Sequence, residues 1–392
     1  ALAPAAPPRA PAAASRTPGR APPAPRPLPG PTGWADAGLA PLRGVTIGPI
    51  ENRRHAGRGY GSEPYARAIN EARRMGATWV SLTPFGRIAN LAPTGIDRTF
   101  EAPFRQNRAD VARAVAMAHD AGLKVLLVPH LWVESGEWRG LIDPGPDDAW
   151  ARYAAAYRGF VADWARLAQE AGADMLSLGV EQRTWLTTPR AALYAEVIAA
   201  ARAAYRGPLT YSGNWDDVED TLILGSLDVI GVNAFYPLAE RAGAPFDELV
   251  RGGERVAERV RRLAERWQKP VLFTELGYTT RPDPALRPWE WPDAMTDVPV
   301  DEAAQAEAYA ALIGPLLREP CFLGFFVWRL YADPDDTSQE AAWGFSPRGK
   351  LAELVVRDAF RARWAADPFA EPGDAPGRTR ALFPGFFGPS RP

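Results

Sequence analysis

Cysteine and histidine are scarce in this 392-residue chain, and their scarcity excludes several kinds of site. The single cysteine, Cys321, allows neither an intramolecular disulfide nor a cysteine-based zinc site. The three histidines are His55, His119 and His130. The surrounding pattern places His119 in a helix and His55 in a polar loop, so we expect no multi-histidine centre and no bound metal.

Basic patches, long apolar runs and nucleotide-binding motifs are missing as well. The formal net charge is −2, which offers no electrostatic attraction for nucleic acid or an anionic membrane. No stretch approaches the roughly 18 consecutive apolar residues of a membrane-spanning helix. Neither a P-loop nor a G-x-S-x-G motif occurs, and we expect no cofactor.

Composition divides the chain into three parts. Residues 1–40 are dominated by proline and alanine and predict a linker that cannot bury apolar surface. Residues 367–392 predict a Pro/Gly-rich tail, with three aromatic residues able to dock on the folded part: Phe383, Phe386 and Phe387. Residues 41–366 remain as one large domain, which we expect to be monomeric. Because the chain begins with Ala1, we expect a removed export signal and a secreted, periplasmic or cell-surface-tethered protein.

Within the domain, helix-period segments alternate with short, continuous apolar runs. Continuous rather than alternating runs are typical of parallel strands covered by helices. Eight runs occur: GVTIGPI, TWVSLTPF, KVLLVPH, DMLSLGVE, PLTYSGN, DVIGVNAF, PVLFTE and FLGFFVW. Their number and spacing predict an α/β fold of the (β/α)₈ TIM-barrel type. A doubly wound open sheet is the alternative, weakened by the absence of a G-x-G-x-x-G turn after the first run.

Two of these runs end in glutamate. Glu181 ends the fourth run and Glu275 lies at the end of the seventh. Active sites of such barrels lie at the carboxyl ends of the strands, and a carboxylate at the end of a buried strand is costly unless it has a role. A pair of carboxylates on opposite walls is typical of glycoside hydrolysis, with retention or inversion decided by their separation. We predict Glu181 and Glu275 as the catalytic residues.

The remaining runs end in side chains that suit a sugar, which presents many hydroxyls and an apolar ring face. Amides and a histidine can bind hydroxyls, and aromatic faces can stack on the ring. Trp328 is a candidate floor for the reacting sugar, and Tyr278 or Tyr236 is a candidate partner for the second oxygen of Glu275. The predicted substrate-binding residues are His130, Asn214, Trp215, Asn233, Tyr236, Tyr278 and Trp328.

Several sequence blocks resemble glycoside hydrolase family 113, the β-mannanase-type barrels of the large clan of retaining (β/α)₈ glycosidases. The blocks are KVLLVPHLWV, WRG, LSLGVEQ, GPLTYSGNWDD, DVIGVNAFYPL, KPVLFTELGY, PWEW, FFVWR and SPRGK. FTELGY and GNW are the most specific of them. The resemblance extends from about residue 44 to residue 360.

The resemblance implies a retaining hydrolase of β-linked glycan, and β-1,4-mannan as its substrate. It also implies Glu181 as general acid/base, with a pKa raised by apolar surroundings, and Glu275 as nucleophile. The sequence departs from the wider clan at Val180, where many members carry an asparagine that contacts the sugar 2-hydroxyl. Asn214 or Asn233 would then have to make that contact.

Two other functions are compatible with the same residues. One is a catalytically silent carbohydrate-binding barrel, although a lectin has no need of two catalytic glutamates. The other is a glycosidase or transglycosidase of the same fold that acts on a different β-linked glycan. Both share the partner we expect, a polysaccharide or oligosaccharide.

Overall fold

A computed structural model describes residues 41–48, 57–291, 295–336, 340–367 and 379–387. The linker predicted over residues 1–40, and His55, lie outside the described residues.

The strands form a closed parallel barrel with a small sheet beside it. In chain order they are β1 (Leu42–Gly48), β2 (Trp79–Leu82), β3 (Phe85–Ile88), β4 (Lys124–Leu127), β5 (His130–Val133), β6 (Met175–Val180), β7 (Leu209–Asn214), β8 (Ile230–Asn233), β9 (Val271–Leu276) and β10 (Phe322–Tyr331). Neighbours around the barrel follow the order β1-β10-β9-β8-β7-β6-β4-β2, and β3 pairs with β5. The predicted (β/α)₈ barrel is confirmed, and the two glutamates belong to its fourth and seventh strands, β6 and β9.

Helices fill most of the crossovers between barrel strands. The α-helices are α1 (Glu63–Met75), α2 (Phe104–Asp120), α3 (Asp147–Ala171), α4 (Arg183–Leu186), α5 (Tyr194–Ala204), α6 (Phe246–Trp267), α7 (Glu302–Leu316), α8 (Leu351–Arg361), α9 (Thr379–Leu382) and α10 (Pro384–Phe387). Single 3₁₀ turns cover Arg139–Leu141, Pro189–Leu193, Val218–Asp220 and Leu224–Ser226. No helix among the described residues is long and apolar enough to cross a membrane.

Glycines end two of the helices where the sequence predicts an end. Gly122 follows α2 with φ 78°, and Gly172 follows α3 with φ 77°. Both angles lie in the left-handed region that glycine adopts without steric cost. Each glycine therefore stops its helix and returns the chain to the next barrel strand.

The two-stranded β3–β5 sheet is not predicted by the sequence. Each of two apolar runs is divided by a proline, Pro84 in one and Pro129 in the other. Proline supplies no backbone N–H for a sheet hydrogen bond and so interrupts the barrel strand. Beyond each proline the chain resumes as a short strand, β3 in one run and β5 in the other. β5 begins with His130.

Aromatic residues of the outer helices support the strand that carries Glu181. The hydroxyls of Tyr157 in α3 and Tyr194 in α5 both donate to the Leu178 carbonyl, over 2.9 and 2.7 Å. A Cβ at Gly179 would lie 2.1 Å from the Tyr157 oxygen, so only glycine fits there. This close approach fixes the position of β6 at Gly179, one residue before Val180 and two before Glu181.

The described part of the predicted tail is docked rather than loose. Phe383 is completely buried, and the Phe387 ring packs 4.9 Å from that of Phe246 at the start of α6. Both contacts bury apolar area that would otherwise face solvent.

Candidate active site

The backbone turns sharply at Glu181, immediately after β6. Glu181 has φ 49°, a left-handed conformation that costs a non-glycine residue about 1–3 kcal/mol. Its N–H donates to the Ser212 carbonyl over 2.9 Å, and the N–H of Gln182 donates to the Tyr211 hydroxyl over 2.5 Å. These bonds to β7 stabilise the turn, which leaves the carboxylate 6% exposed at the carboxyl end of the barrel.

Three donors surround the Glu181 carboxylate. Oε2 accepts from Trp138 Nε1 over 2.8 Å and from Arg139 Nη1 over 2.7 Å. Oε1 accepts from Asn233 Nδ2 over 2.8 Å. The expectation of apolar surroundings is therefore wrong, because a loop carrying Trp138 and Arg139 folds over the end of β6.

Glu275 lies inside β9 and is only 7% exposed. Burial, and next the charge of Glu181, raise the pKa of the Glu275 carboxyl well above its usual range. The cations of Arg139 and Arg329 and a hydrogen bond from Asn233 act in the opposite direction. The two glutamates are thus electrostatically coupled across the barrel mouth.

Asn233 stands between the two glutamates at the end of β8. Its side chain is fully buried and donates to Glu181 Oε1 over 2.8 Å. The Thr274 hydroxyl donates to Asn233 Oδ1 over 3.0 Å, which aims the amide nitrogen at Glu181. In the pairing of β8 with β9, Asn233 is the register partner of Glu275. Both glutamates therefore lie next to Asn233.

His130 lies beside Glu275. The ring is 3% exposed, with Nε2 3.9 Å from Glu275 Oε1 and Nδ1 donating to the Leu131 carbonyl over 3.1 Å. Burial, and next the charge of Arg139, lower the pKa of His130 well below its usual range. The imidazole is therefore neutral at pH 7, with the lone pair of Nε2 turned to Glu275.

Aromatic rings form the wall next to Glu275. Trp328, 4% exposed at the barrel end of β10, packs with the buried rings of Phe235 and Phe345. Its indole Nε1 is buried and has no hydrogen-bond partner in the described part of the chain. An apolar face with a free N–H beside the acid pair suits a sugar ring.

A comparison with a protein-family model also indicates a site that acts on sugar. The model of Glycoside Hydrolase Family 113 matches residues 54–350 of this chain. The chain belongs to glycoside hydrolase family 113. It is therefore a glycoside hydrolase, and its substrate is a carbohydrate.

Solved structures of family 113 are similar to this chain. The β-mannanase AaManA from Alicyclobacillus acidocaldarius, solved in complex with ManMIm, is 26% identical with a TM-score of 0.71, over 83% of this chain and 99% of that one. A structure of a family 113 β-1,4-mannanase is 21% identical with a TM-score of 0.70, over 82% and 99% of the two chains. No curated protein sequence matches the chain.

The carboxyl end of β7 supplies two further predicted residues of the family 113 site. Asn214 donates to Asp216 Oδ1 over 2.7 Å, so its amide is held at the rim and not at the glutamates. Trp215 stacks on Trp289 with ring centroids 5.2 Å apart and an interplanar angle of 19°. Trp289 is 37% exposed and presents an aromatic face to solvent.

Tyr278 and Tyr236 do not hold Glu275 as the sequence suggests. Tyr278 is completely buried, its ring packs against Tyr309 at 5.7 Å, and its hydroxyl donates to the Tyr236 carbonyl over 3.1 Å. The Tyr236 ring packs between Trp215 and Phe273. Both tyrosines therefore support the packing at this end of the barrel.

Trp138 and Arg139 both donate to the Glu181 carboxylate, a contact that sequence reasoning missed. In the sequence both residues belong to the WRG block, which by itself does not indicate a carboxylate partner. Arg183 lies over the Trp138 ring at 4.5 Å and pairs with Asp217 at 2.7 Å. Burial raises the pKa of Asp217 to about 7, although Arg183 lowers it. The indole that holds Glu181 is therefore itself held by a charged pair.

The described residues contain no group of three or more histidine, cysteine, aspartate or glutamate side chains arranged to hold a metal ion. The chemistry of the site is accordingly derived from its carboxylates and their donors.

Proposed function

We propose that this family 113 hydrolase cleaves β-1,4-mannan with retention of configuration. The observation that carries the mechanism is that both glutamates lie next to Asn233, which donates to Glu181 and is the register partner of Glu275. This arrangement favours double displacement, for which carboxyl groups about 5–5.5 Å apart are required. Inversion needs about 6.5–9.5 Å, to leave room for a water molecule.

In the first step, an oxygen of Glu275 forms a bond to the anomeric carbon as the bond to the leaving oxygen breaks. Glu181 transfers its proton to that oxygen. In the second step, Glu181 takes a proton from water, whose oxygen bonds to the anomeric carbon while the ester bond to Glu275 breaks. Both carboxyl groups return to their initial states, and the two inversions give net retention.

The first step needs the proton on Glu181 and the charge on Glu275. In the substrate-free site, burial raises the pKa of Glu275 and favours its protonated form. We infer that substrate binding favours the charged form of Glu275 instead. The leaving oxygen accepts a hydrogen bond only from protonated Glu181, while Arg139, Arg329 and Asn233 stabilise charge on Glu275.

Mannan is proposed as the substrate because of similarity. The protein from Alicyclobacillus acidocaldarius, 26% identical over 83% of this chain, is described as a β-mannanase. The exposed Trp289, stacked on Trp215, offers a further surface for a chain longer than one sugar. Together they favour an endo-acting polysaccharide hydrolase.

A substrate panel tests the proposal. Purified protein is incubated with β-mannan, β-glucan, xylan and aryl β-glycosides, and released reducing ends are measured. We expect the largest kcat/KM on β-mannan, with the product anomer formed first having the β configuration by NMR. Faster cleavage of another glycan would refute mannan specificity. Retention of polysaccharide without any turnover would favour the carbohydrate-binding alternative.

Azide rescue separates the roles of the two glutamates. E275A should lose activity, and azide should then give the α-glycosyl azide from an activated aryl β-glycoside. E181A should retain its first step on the same substrate, and azide should give the β-glycosyl azide. The control is E134Q, a change in a carboxylate that pairs with Arg87 away from the acid pair. Azide products of the opposite configurations would reverse the assignment.

A further inference from the structure

Arg329 is a cation at the barrel mouth whose hydrogen-bond donors the proposed reaction does not use. It follows Trp328 in β10, and its charge lowers the pKa of both Glu275 and His130, so it lies within electrostatic reach of the site. No described carboxylate forms an ion pair with it. Its Nε is buried and has no partner among the described residues.

Aromatic rings fix the plane of this guanidinium. Its central carbon lies 4.8 Å from the Trp328 ring centroid, 4.9 Å from that of Tyr331 and 5.7 Å from that of Trp291. Stacking covers the faces of a guanidinium and leaves its edge, where all N–H donors point, for hydrogen bonds. Gly48 at the end of β1 makes room, since a Cβ there would lie 3.2 Å from Arg329 Nη1.

The barrel order places Arg329 opposite the acid/base. β10 and β6 are four strands apart in an eight-stranded barrel, so Arg329 and Glu181 lie on facing walls, with β9 and Glu275 between them on one side. Glu181 protonates the leaving oxygen, so the departing part of the substrate lies on the β6 side. The part retained on Glu275, the glycone, therefore extends toward β10 and β1.

We propose that the Arg329 guanidinium and the indole N–H of Trp328 bind hydroxyl oxygens of the glycone. The inference rests on the proposed glycosidase reaction and adds a residue that determines glycone specificity. Adjacent sugar hydroxyls match two parallel N–H donors of a guanidinium edge. The Trp328 Nε1, buried without a partner, supplies a third donor.

A neutral sugar fits this donor set better than an acidic one. The guanidinium carbon of Arg329 lies 4.9 Å from the Tyr331 ring centroid, and the Tyr331 hydroxyl donates to Glu340, so a carboxylate already lies near this positive charge. A uronate carboxylate bound there would lie in the field of Glu275. Hydroxyl oxygens accept the same hydrogen bonds without that repulsion.

The test combines Arg329→Met with glycones that lack one hydroxyl. The substrates are aryl β-glycosides of whichever sugar the wild type cleaves, and their deoxy analogues at each ring position. We expect R329M to lower kcat/KM about 10- to 100-fold on the parent glycoside. Removal of the hydroxyl that Arg329 contacts should lower kcat/KM in the wild type. The same removal should leave kcat/KM unchanged in R329M. Equal deoxy penalties in both proteins would overturn the proposal.

Two variants control for charge and folding. R329K keeps the charge but lacks the planar donor edge, so it should recover only a small part of the loss. If R329M does not fold, R329K carries the same deoxy comparison. R266M removes an arginine stacked on Trp267 on the outer helix α6 and should leave kcat/KM unchanged. Preference of the wild type for a uronate glycone, lost in R329M, would overturn the neutral-sugar assignment.

Failure of the proposed reaction can be told apart from failure of this inference. If the wild type cleaves no glycan, the proposed function fails, and retention in gels containing neutral mannan, glucan or xylan becomes the readout. Weaker retention of R329M than of the wild type would still support the donor set. Identical retention of the two proteins would refute it.

Discussion

The amide nitrogen of Asn233 donates a 2.8 Å hydrogen bond to Oε1 of Glu181. The two residues come from β8 and β6, strands separated by β7. Because Thr274 donates to the amide oxygen, the NH₂ group faces Glu181. The sequence predicts Asn233 as a substrate-binding residue, and the structure adds a contact with Glu181 that the sequence does not predict.

Asn233→Ala should therefore lower kcat/KM by about 10- to 100-fold, because the loss of a hydrogen bond to a charged group costs about 1.5–3 kcal/mol. Asn233→Asp should lower it further, since it places a third carboxylate beside two others. The matched control is N107A, which removes a buried amide donating to Glu101 over 3.0 Å elsewhere in the domain. N107A should have a lower free energy of unfolding and an unchanged kcat/KM. Steady-state kinetics on an aryl glycoside decide the outcome, and full activity of N233A would contradict it.

Arg139→Gln should shift the acidic limb of the pH profile of kcat/KM to higher pH. Arg139 pairs with Glu181 at 2.7 Å, and its charge lowers the pKa of Glu275, the group that must be ionised in the first step. Without that positive charge the pKa of Glu275 rises, so the acidic limb moves to higher pH. R152Q, which removes an exposed ion pair on α3, should leave the profile in place. If kcat/KM of R139Q is lower at every pH but the profile is not displaced along the pH axis, Arg139 acts only on the geometry of the site.

Much of the fold could be predicted because strand identity follows from local patterns. Continuous apolar runs separated by helical periodicity gave the barrel, and the position of Glu181 and Glu275 at strand ends gave the acid pair. Gly122 and Gly172 marked helix ends because only the glycine backbone adopts their φ angles freely. These signals lie within a few residues of the feature they predict.

The partners of the glutamates could not be predicted, because they come from distant parts of the chain. Arg139 reaches Glu181 across 42 positions, and Asn233 reaches it across 52. Tyr278 follows Glu275 closely, yet its hydroxyl turns away to the Tyr236 carbonyl. Nearness in sequence after a strand end does not determine which way a loop residue faces.

Glu275→Gln should make the protein more stable, and the gain should grow with pH. The pKa of Glu275 is raised in the folded protein above its unfolded value of about 4.3, so folding favours the protonated form. That contribution is complete below the unfolded pKa and is lost as pH rises through the folded pKa. Glutamine does not ionise, and each tenfold change in proton affinity corresponds to about 1.4 kcal/mol.

Thermal unfolding between pH 4 and pH 8 measures this effect. The excess in Tm of E275Q over the wild type should be near zero at about pH 4 and reach roughly 2 °C or more at pH 8. E181Q is the matched comparison, since it leaves Arg139 without its carboxylate and should lower Tm at neutral pH. A constant difference between E275Q and the wild type at all pH values would contradict the linkage.

Trp289→Ala should affect polymer cleavage more than cleavage of a short aryl glycoside. Its ring is 37% exposed and lies on Trp215, beyond the strand next to Glu181, where the leaving part of a long substrate would pass. Loss of one stacking surface should raise KM on β-mannan about 3- to 30-fold, in the range of sugar–aromatic contacts of about 1–2 kcal/mol. W267A, on the outer end of α6, is the control. Equal losses on both substrates would mean that Trp289 supports the fold and not the glycan.

Gly179→Ala should disable the enzyme through packing alone. Gly179 has φ 155° and lies two residues before Glu181, and an added Cβ would meet the Tyr157 oxygen at 2.1 Å. Either β6 or Tyr157 must move, at a cost of about 1–3 kcal/mol in unfolding free energy, and the Glu181 carboxylate moves with the strand. Denaturant unfolding and kcat/KM should both fall in G179A. G95A, at a glycine with open space around its Cβ position, should change neither. If Y157F restores activity to G179A, the clash with that hydroxyl is the cause; if activity stays lost while stability recovers, Gly179 positions Glu181 through its backbone instead.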